Sequence, residues 1–408
     1  MKKRLLFIAP LVLDKSPRGI RIRNIATMLL DDFYVDVLYL EFKSSKDMTC
    51  EKLSSEIKLY SVAASAVSNF LNKKYSNDNL FERCKGILGR IFSKALNFLA
   101  FPDHYCFDNG KLVAKAFELS EKYNYDHIIG VAYPFTVYKV LLQLSNSCTS
   151  NLILDVGDPL SFNAALPNSS KNLQEKRKNL ESKLLSKLNA LIVTNEATKN
   201  EFYRIFRCDI NYNIAVIPQG TTISNCSNYH KRKYNLGKVN FLYAGVFYPG
   251  LRDPYDFFIA SQRLLDKISV DIYGAGDSYG KYIGSNIKVH KSITSVLLVE
   301  KYHQSDALIY FANKSGCQSS GKLYELLSCK KPILYIVGEK ETFMEQEMAA
   351  YDFVFFCNNN KDSIFEAIEL IVEKIHSNFE FSYNFDLDSI SWENRAELYK
   401  HCLNELDS

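Results

Sequence analysis

The sequence has no CxxC pair, no apolar run of membrane-spanning length and little net charge, and each absence removes a class of protein. Its ten cysteines (positions 50, 84, 106, 148, 208, 226, 317, 329, 357 and 402) are scattered, and no histidines stand near them at ligand spacing. That pattern excludes a cysteine-rich zinc module or a disulfide scaffold and suits buried thiols in a reducing compartment. A net charge of +4 over 408 residues is too small to indicate nucleic-acid binding. The start, Met1-Lys2-Lys3-Arg4-Leu5-Leu6-Phe7-Ile8-Ala9-Pro10, is basic, but its apolar run stops at Pro10 and charge soon follows. It reads as a first buried strand rather than a signal peptide. With no stretch able to cross a bilayer, the expected location is the cytoplasm.

What is present is an ordinary globular composition, 47% hydrophobic and 24% charged, on a chain long enough for two cores. Short β-rich runs alternate with helix-period segments. Strands are expected at Leu5–Ala9, Val35–Leu40, His127–Val131, Leu152–Val156, Ala190–Thr194 and Ile214–Ile217. Several are apolar at consecutive positions, which suits parallel strands covered on both faces. Helices are expected between them, including Arg18–Leu30, Lys111–Lys122, Leu173–Leu188 and Glu196–Phe206. A polar stretch from Pro218 to about Lys238 is the candidate linker. A second series follows, with strands at Asn240–Ala244, Ser269–Tyr273, Ile287–His290, Ala307–Phe311, Pro332–Val337 and Phe353–Phe356. Its helices fall near Pro254–Asp266, Thr294–His303, Lys322–Ser328 and Ser363–His376, and the amphipathic Ser391–Leu406 closes the chain. Two successive β/α series imply two doubly wound domains facing one another.

Between Ser61 and Phe107 no clear strand is legible. Arg83, Lys85, Arg90 and Lys94 are interleaved there with Ile87, Leu88, Ile91, Phe92 and Leu96. The segment fits either a helical excursion packed on the first domain or, through residues 83–99, docking at an anionic membrane surface.

The chemistry-bearing pieces cluster after the strands of the second series. The run Ser319-Ser320-Gly321-Lys322-Leu323-Tyr324-Glu325 reads as a polar loop and helix start, with Lys322 and Glu325 on one helical face. Such a start suits a phosphate, with Glu325 placed for ribose hydroxyls; an (i, i+3) surface ion pair would use the same two residues. Gly245 and Arg252 follow one strand, and Tyr273-Gly274-Ala275-Gly276 ends another. Glycine lets a ligand approach the backbone, arginine can clamp phosphate oxygens, and a plain tight turn explains the Gly pair equally well.

In this order the pieces resemble the GT-B glycosyltransferases, specifically the large family-4-like group of nucleotide-sugar-dependent enzymes. The resemblance runs over nearly the whole chain. It takes in Ser16-Pro17-Arg18-Gly19, Phe101-Pro102-Asp103, the Asp158 loop, Ser186–Glu196 and Val216-Ile217-Pro218-Gln219-Gly220 in the first half. In the second half it takes in Gly245 with Arg252, Gly274 with Gly276, the Asp306 strand, Gly321–Leu327 and Trp392-Glu393-Asn394-Arg395-Ala396. The resemblance implies an α/β GT-B fold, two Rossmann-like domains around a central cleft, with the C-terminal helix packing back on the first. The implied domains are 1–222 with 388–408 for the acceptor and 223–387 for the nucleotide sugar.

The resemblance also implies roles. Arg252 and Lys322 neutralise the departing diphosphate, and Glu325 binds the ribose. Gly245, Gly274, Gly276 and the loop 316–321 bring backbone close to phosphate and sugar, with Tyr273, Ser319, Ser320, Gly321 and Leu323 on the donor side. Fixed cations facing a leaving group that gains charge lower its barrier, so no metal and no cofactor beyond the donor substrate is expected. Asp158 is the candidate for the acceptor hydroxyl, and the general base if the reaction inverts; an Asp before Pro also begins turns. Arg18, beside Gly19, is a candidate phosphate contact or a solvated loop arginine. One position departs from the pattern. Cys317 stands where such enzymes often carry a first glutamate, and a thiol cannot make a carboxylate's contacts to sugar hydroxyls. The expected activity is transfer of a sugar from a nucleotide diphosphate sugar to an acceptor hydroxyl, on a lipid-linked or surface-polysaccharide intermediate at the inner membrane face. A non-catalytic sugar-nucleotide-binding subunit and a GT-B epimerase are the alternatives.

Overall fold

The computed structural model describes residues 2–43, 53–71, 100–163, 166, 170–221, 237–247, 252–274, 284–313, 321–338, 345, 348–383 and 385–407. The chain divides into two compact units, 1–218 with 395–408, and 219–394. The basic stretch 83–99, most of the candidate linker, Gly276, Cys317, Ser319 and Ser320 lie outside the described residues.

The first unit holds a parallel seven-stranded sheet in the order β3-β2-β1-β4-β5-β6-β7. Its strands are β1 (Lys3–Ile8), β2 (Phe33–Glu41), β3 (Lys58–Ala63), β4 (His127–Val131), β5 (Asn151–Val156), β6 (Ala190–Val193) and β7 (Ile214–Val216). The helices are α1 (Pro17–Met28), α2 (Ala66–Leu71), α3 (Asn109–Tyr123), α4 (Thr136–Leu144), α5 (Lys171–Leu185) and α6 (Glu196–Phe206), and the C-terminal α11 (Trp392–Glu405) delivers residues 395–405 to this unit. β3 was not expected. It is an edge strand with only Val62 buried, so it lacks the continuous apolar run of β1, β4 and β6.

The second unit repeats the plan with six parallel strands ordered β10-β9-β8-β11-β12-β13. They are β8 (Val239–Ala244), β9 (Ile268–Tyr273), β10 (Ile287–His290), β11 (Ala307–Phe311), β12 (Ile333–Ile336) and β13 (Val354–Cys357). Helices α7 (Tyr255–Arg263), α8 (Ser295–Gln304), α9 (Lys322–Ser328) and α10 (Lys361–His376) connect them. The two faces of the sheet fill separate cores, one around Phe241, Phe257, Ile309 and Ile368, the other around Leu242, Leu308, Leu323 and Tyr335. Both units are thus Rossmann-like α/β layers.

Caps start the helices where the sequence supplies short polar side chains. Ser16 accepts from Gly19 N–H at 3.1 Å, Asn195 from Thr198 at 2.7 Å and Asn360 from Ser363 at 2.9 Å. The Ser16-Pro17-Arg18-Gly19 segment is therefore the cap and first turn of α1 rather than a loop.

In each sheet the strand order reverses beside the first strand of the unit, between β1 and β4 and between β8 and β11. Such reversals open a crevice outside the carboxyl ends of the two strands, which is where ligands of this architecture enter.

Candidate functional site

At the reversal of the second sheet, Gly245 follows β8 and Asn313 follows β11. Arg252, ahead of α7, donates through Nε to Asn313 Oδ1 at 2.8 Å, and Asn313 is buried. A guanidinium gripped by Nε has its two terminal nitrogens oriented for a bidentate oxyanion contact.

Gly245 N–H donates to Tyr273 O at 2.9 Å and Gly274 N–H to His290 O at 3.2 Å. Their amides extend the sheet, so what these glycines offer a ligand is a bare backbone surface, not donors. Gly274 sits at φ +86°, in the left-handed region. Gly274→Ala should therefore destabilise the chain by about 1–2 kcal/mol, read as a lower thermal midpoint. Beside it, Tyr273 stacks on His290 (centroids 4.5 Å apart), and His290 Nε2 lies 2.7 Å from Asp271 Oδ1. Burial, with Asp271 close by, pushes the Tyr273 hydroxyl up. The place of His290 beside Tyr273 follows from the β9–β10 register, which aligns the two.

Lys322 and Glu325 form an ion pair of 2.6 Å on α9, and the Lys322 ammonium lies 5.5 Å from the Tyr302 ring centroid. Their side chains are 27% and 36% exposed, so both remain open to a ligand. Tyr302 is buried, with a hydroxyl that has no hydrogen-bond partner among the described residues. Leu323 faces the core, so only its backbone can meet a ligand. Gly321 has ordinary φ; a Cβ there would come within 2.4 Å of Gln219, so it is packing that demands glycine at this position.

In the first unit the loops after β1, β4 and β5 shape the corresponding edge. Buried Arg23 donates to the carbonyls of Val12 and Asp14, holding the loop after β1. Gly19 lets that loop lie against α1, since a Cβ would meet Asp14 O at 2.6 Å. Tyr133, after β4, has φ +75° and is 43% exposed. Burial raises its hydroxyl pKa, and the negative charges of Asp103, Asp14 and Asp158 raise it further. Tyr133 and Asp14 carry no signal in spacing, and Asp103 enters only through the Phe101-Pro102-Asp103 part of the resemblance.

Arg18 is neither solvated nor in a loop. Its side chain is 13% exposed, its Nη1 bonds Asp155 Oδ1 at 2.9 Å, and it lies across Gly157 so closely that a Cβ there would overlap it. Asp155 also receives Arg21 Nε at 3.0 Å and the Tyr399 hydroxyl, and all three of these residues are fully buried. Arg21 reaches further, donating to the carbonyls of Pro218 (2.8 Å) and Ile217 (2.9 Å). Burial by itself raises the Asp155 pKa, but Arg21, Arg18 and Tyr399 outweigh it and hold the carboxyl below its ordinary value. On the other side of Asp158, buried Glu181 accepts the N–H groups of Leu160 and Ser161 and the Tyr138 hydroxyl, each at 3.0 Å. The loop that carries Asp158 is thereby held at both ends.

Solved structures decide the fold. Sucrose-phosphate synthase from Thermosynechococcus elongatus superposes with TM-score 0.67 at 14% identity, covering 99% of each chain. HepE from Anabaena, solved in complex with UDP-glucose, gives 0.60 at 12%, covering 98% of this chain and 99% of its own. The chain has the GT-B glycosyltransferase fold. UDP-GlcNAc 2-epimerase from Methanocaldococcus jannaschii shares the architecture as well, at TM-score 0.54 and 11% identity over 99% of this chain and all of its own. No protein-family model and no curated protein sequence matches. Among the described residues no helix is long and apolar enough to cross a membrane, and no three His, Cys, Asp or Glu side chains come together to hold a metal ion.

Proposed function

We propose that the protein is a glycosyltransferase that moves a sugar from a nucleoside diphosphate sugar to an acceptor hydroxyl. The observation that carries this reading is the reversal point of the second sheet. There, Gly245 follows β8, and Arg252 is oriented by Asn313, which follows β11. On the same unit, Lys322 and Glu325 are partly exposed and form an ion pair across one turn. A diphosphate would take Arg252 and Lys322 as counter-ions, and Glu325, released from Lys322, would take ribose hydroxyls. The uridine donor bound by HepE supports UDP as the first nucleotide to try. Arg252 and Lys322 supply the positive charge that the leaving group needs, so the reading calls for no metal.

On the first unit, Asp158 is the proposed acceptor contact, and the base if the configuration inverts. Arg18, engaged with Asp155, is proposed to hold the Asp158 loop and to meet an acceptor phosphate only through its remaining nitrogens. A lipid-linked or surface-polysaccharide acceptor at the inner membrane face, with contact through residues 83–99, completes the proposal. Unchanged membrane flotation after neutralising Arg83, Lys85, Arg90 and Lys94 would remove that last part.

Thermal shift with UDP, GDP, ADP and CMP tests the core of the reading. One nucleotide, at about a hundred times its Kd, should stabilise the second unit by about 2.7 kcal/mol, a rise of roughly 5–10 °C. Glu325→Ala and Lys322→Ala should each remove most of that rise. If no nucleotide raises the midpoint, the donor site is wrong. Binding without nucleotide release from any matching sugar donor would leave a sugar-nucleotide-binding subunit, and interconversion of the free donor would make it an epimerase.

A further inference from the structure

The amino edge of the first sheet, opposite the strand ends described above, carries a cationic cluster. Strand alternation builds it. Arg4, Leu6 and Ile8 share one face of β1, and the parallel register sets Arg4 beside Tyr34 and Leu6 beside Asp36 of β2. Asp36 in turn faces Lys58 of β3, and Leu38 faces Tyr60. The inner positions, Leu6, Ile8 and Leu38, enter the core with α3, while Arg4, Tyr34 and Lys58 are left at its rim. The last turn of α3 brings Lys122 and Tyr123 to the same rim.

Three cations surround the Tyr123 ring, Lys122 at 5.1 Å, Arg4 at 5.3 Å and Lys58 at 5.8 Å from its centroid. Arg4 also lies 5.1 Å and Lys2 5.3 Å from the centroid of Tyr34, with the Lys2 ammonium donating to Leu30 O. None of Lys2, Arg4, Lys58 and Lys122 makes an ion pair among the described residues. Two carboxylates near the rim are bonded to uncharged groups. Asp36 accepts from the Tyr125 hydroxyl at 2.5 Å, and Asp126 accepts the backbone N–H of Arg4 at 2.8 Å. A further lysine, Lys115, is neutralised by Glu118 at 2.7 Å.

Ring faces offset part of the repulsion among four close cations, but not all of it. The excess is felt locally. A hydrogen bond from Tyr60, then Lys122 and Lys58, pull the Tyr123 hydroxyl below its ordinary pKa. We propose that this rim binds a multiply charged phosphate group of a soluble ligand, with Arg4, Lys58 and Lys122 as donors around the Tyr123 and Tyr34 rings. Several cations at short range match a di- or monophosphate better than a single carboxylate. A soluble ligand is favoured over a bilayer because the exposed large apolar side chains here, Tyr34 and Leu59, offer too little surface to insert.

The site is independent of the donor reading, and the experiment keeps them apart. The full-length Arg252→Ala/Lys322→Ala chain, whose donor cations are gone, is titrated calorimetrically with pyrophosphate. Binding should persist there and weaken at least tenfold when Lys58→Ser and Lys122→Ser are added. Both lysines are exposed, so the thermal midpoint without ligand should not move. Absence of pyrophosphate binding in the first variant, or equal affinity in the second, overturns the proposal. So does binding confined to phosphatidylglycerol vesicles, which would make the rim a membrane contact.

Discussion

An Asp155→Ala chain is expected to lose about 3–5 kcal/mol of stability, because it strands two arginines in the interior of the first unit. Asp155 and Arg21 are fully buried and Arg18 nearly so, and the Tyr399 hydroxyl donates to the same carboxylate. The pair is not strongly stabilising compared with an apolar replacement, but removing one partner leaves charge without solvent or counter-ion. For a unit of this size the thermal midpoint should fall by roughly 10 °C or more. Asp155→Asn keeps the shape but not the charge and should be nearly as damaging.

The pH dependence has a definite sign. The folded pKa of Asp155 is depressed, so its contribution is fully present above the unfolded value, about 3.9, and is lost as pH falls through the folded pKa below that. Urea midpoints measured between pH 6 and pH 3 should therefore show an acid-sensitive increment in the native chain that Asp155→Ala lacks. A midpoint unmoved by the substitution would mean that α1, β5 and α11 are held together by their apolar contacts alone.

This network also marks where sequence reading stops. Runs such as His127–Val131 and Ala307–Phe311 are legible as buried parallel strands because nearly every position is apolar, and the structure places strands at those same bounds. Local order likewise exposes the α9 start, where Lys322 and Glu325 are three residues apart. Arg21, Asp155, Pro218 and Tyr399 are separated by more than a hundred residues at the closest long step of the network, and no spacing rule connects them. They look like separate polar residues until the sheet orders itself. The edge strand β3 was hidden for a different reason, since a strand covered by one neighbour needs little apolar sequence. Strand register sets His290 beside Tyr273, and a loop contact joins Arg252 to Asn313, neither of which pattern alone supplies.

Arg252→Ala should reduce turnover of the matching sugar donor by about a hundred- to a thousandfold, the scale of removing one preorganised charge from a developing anion. Asn313 holds Nε at 2.8 Å from the end of β11, so the guanidinium plane is set before any substrate arrives. Preorganised charge stabilises the departing diphosphate more than the intact donor, because negative charge grows on its oxygens as the glycosidic bond breaks. The loss should then appear in kcat more than in KM. Arg252→Lys should recover little, since an ammonium cannot be gripped by Asn313 and still present two parallel donors. Asn313→Ala, which leaves the charge but frees its plane, should fall in the same direction by a smaller factor. Should Arg252→Ala raise KM alone with kcat intact, Arg252 would be a ground-state anchor for the donor, and the charge met by the leaving group would have to come from Lys322.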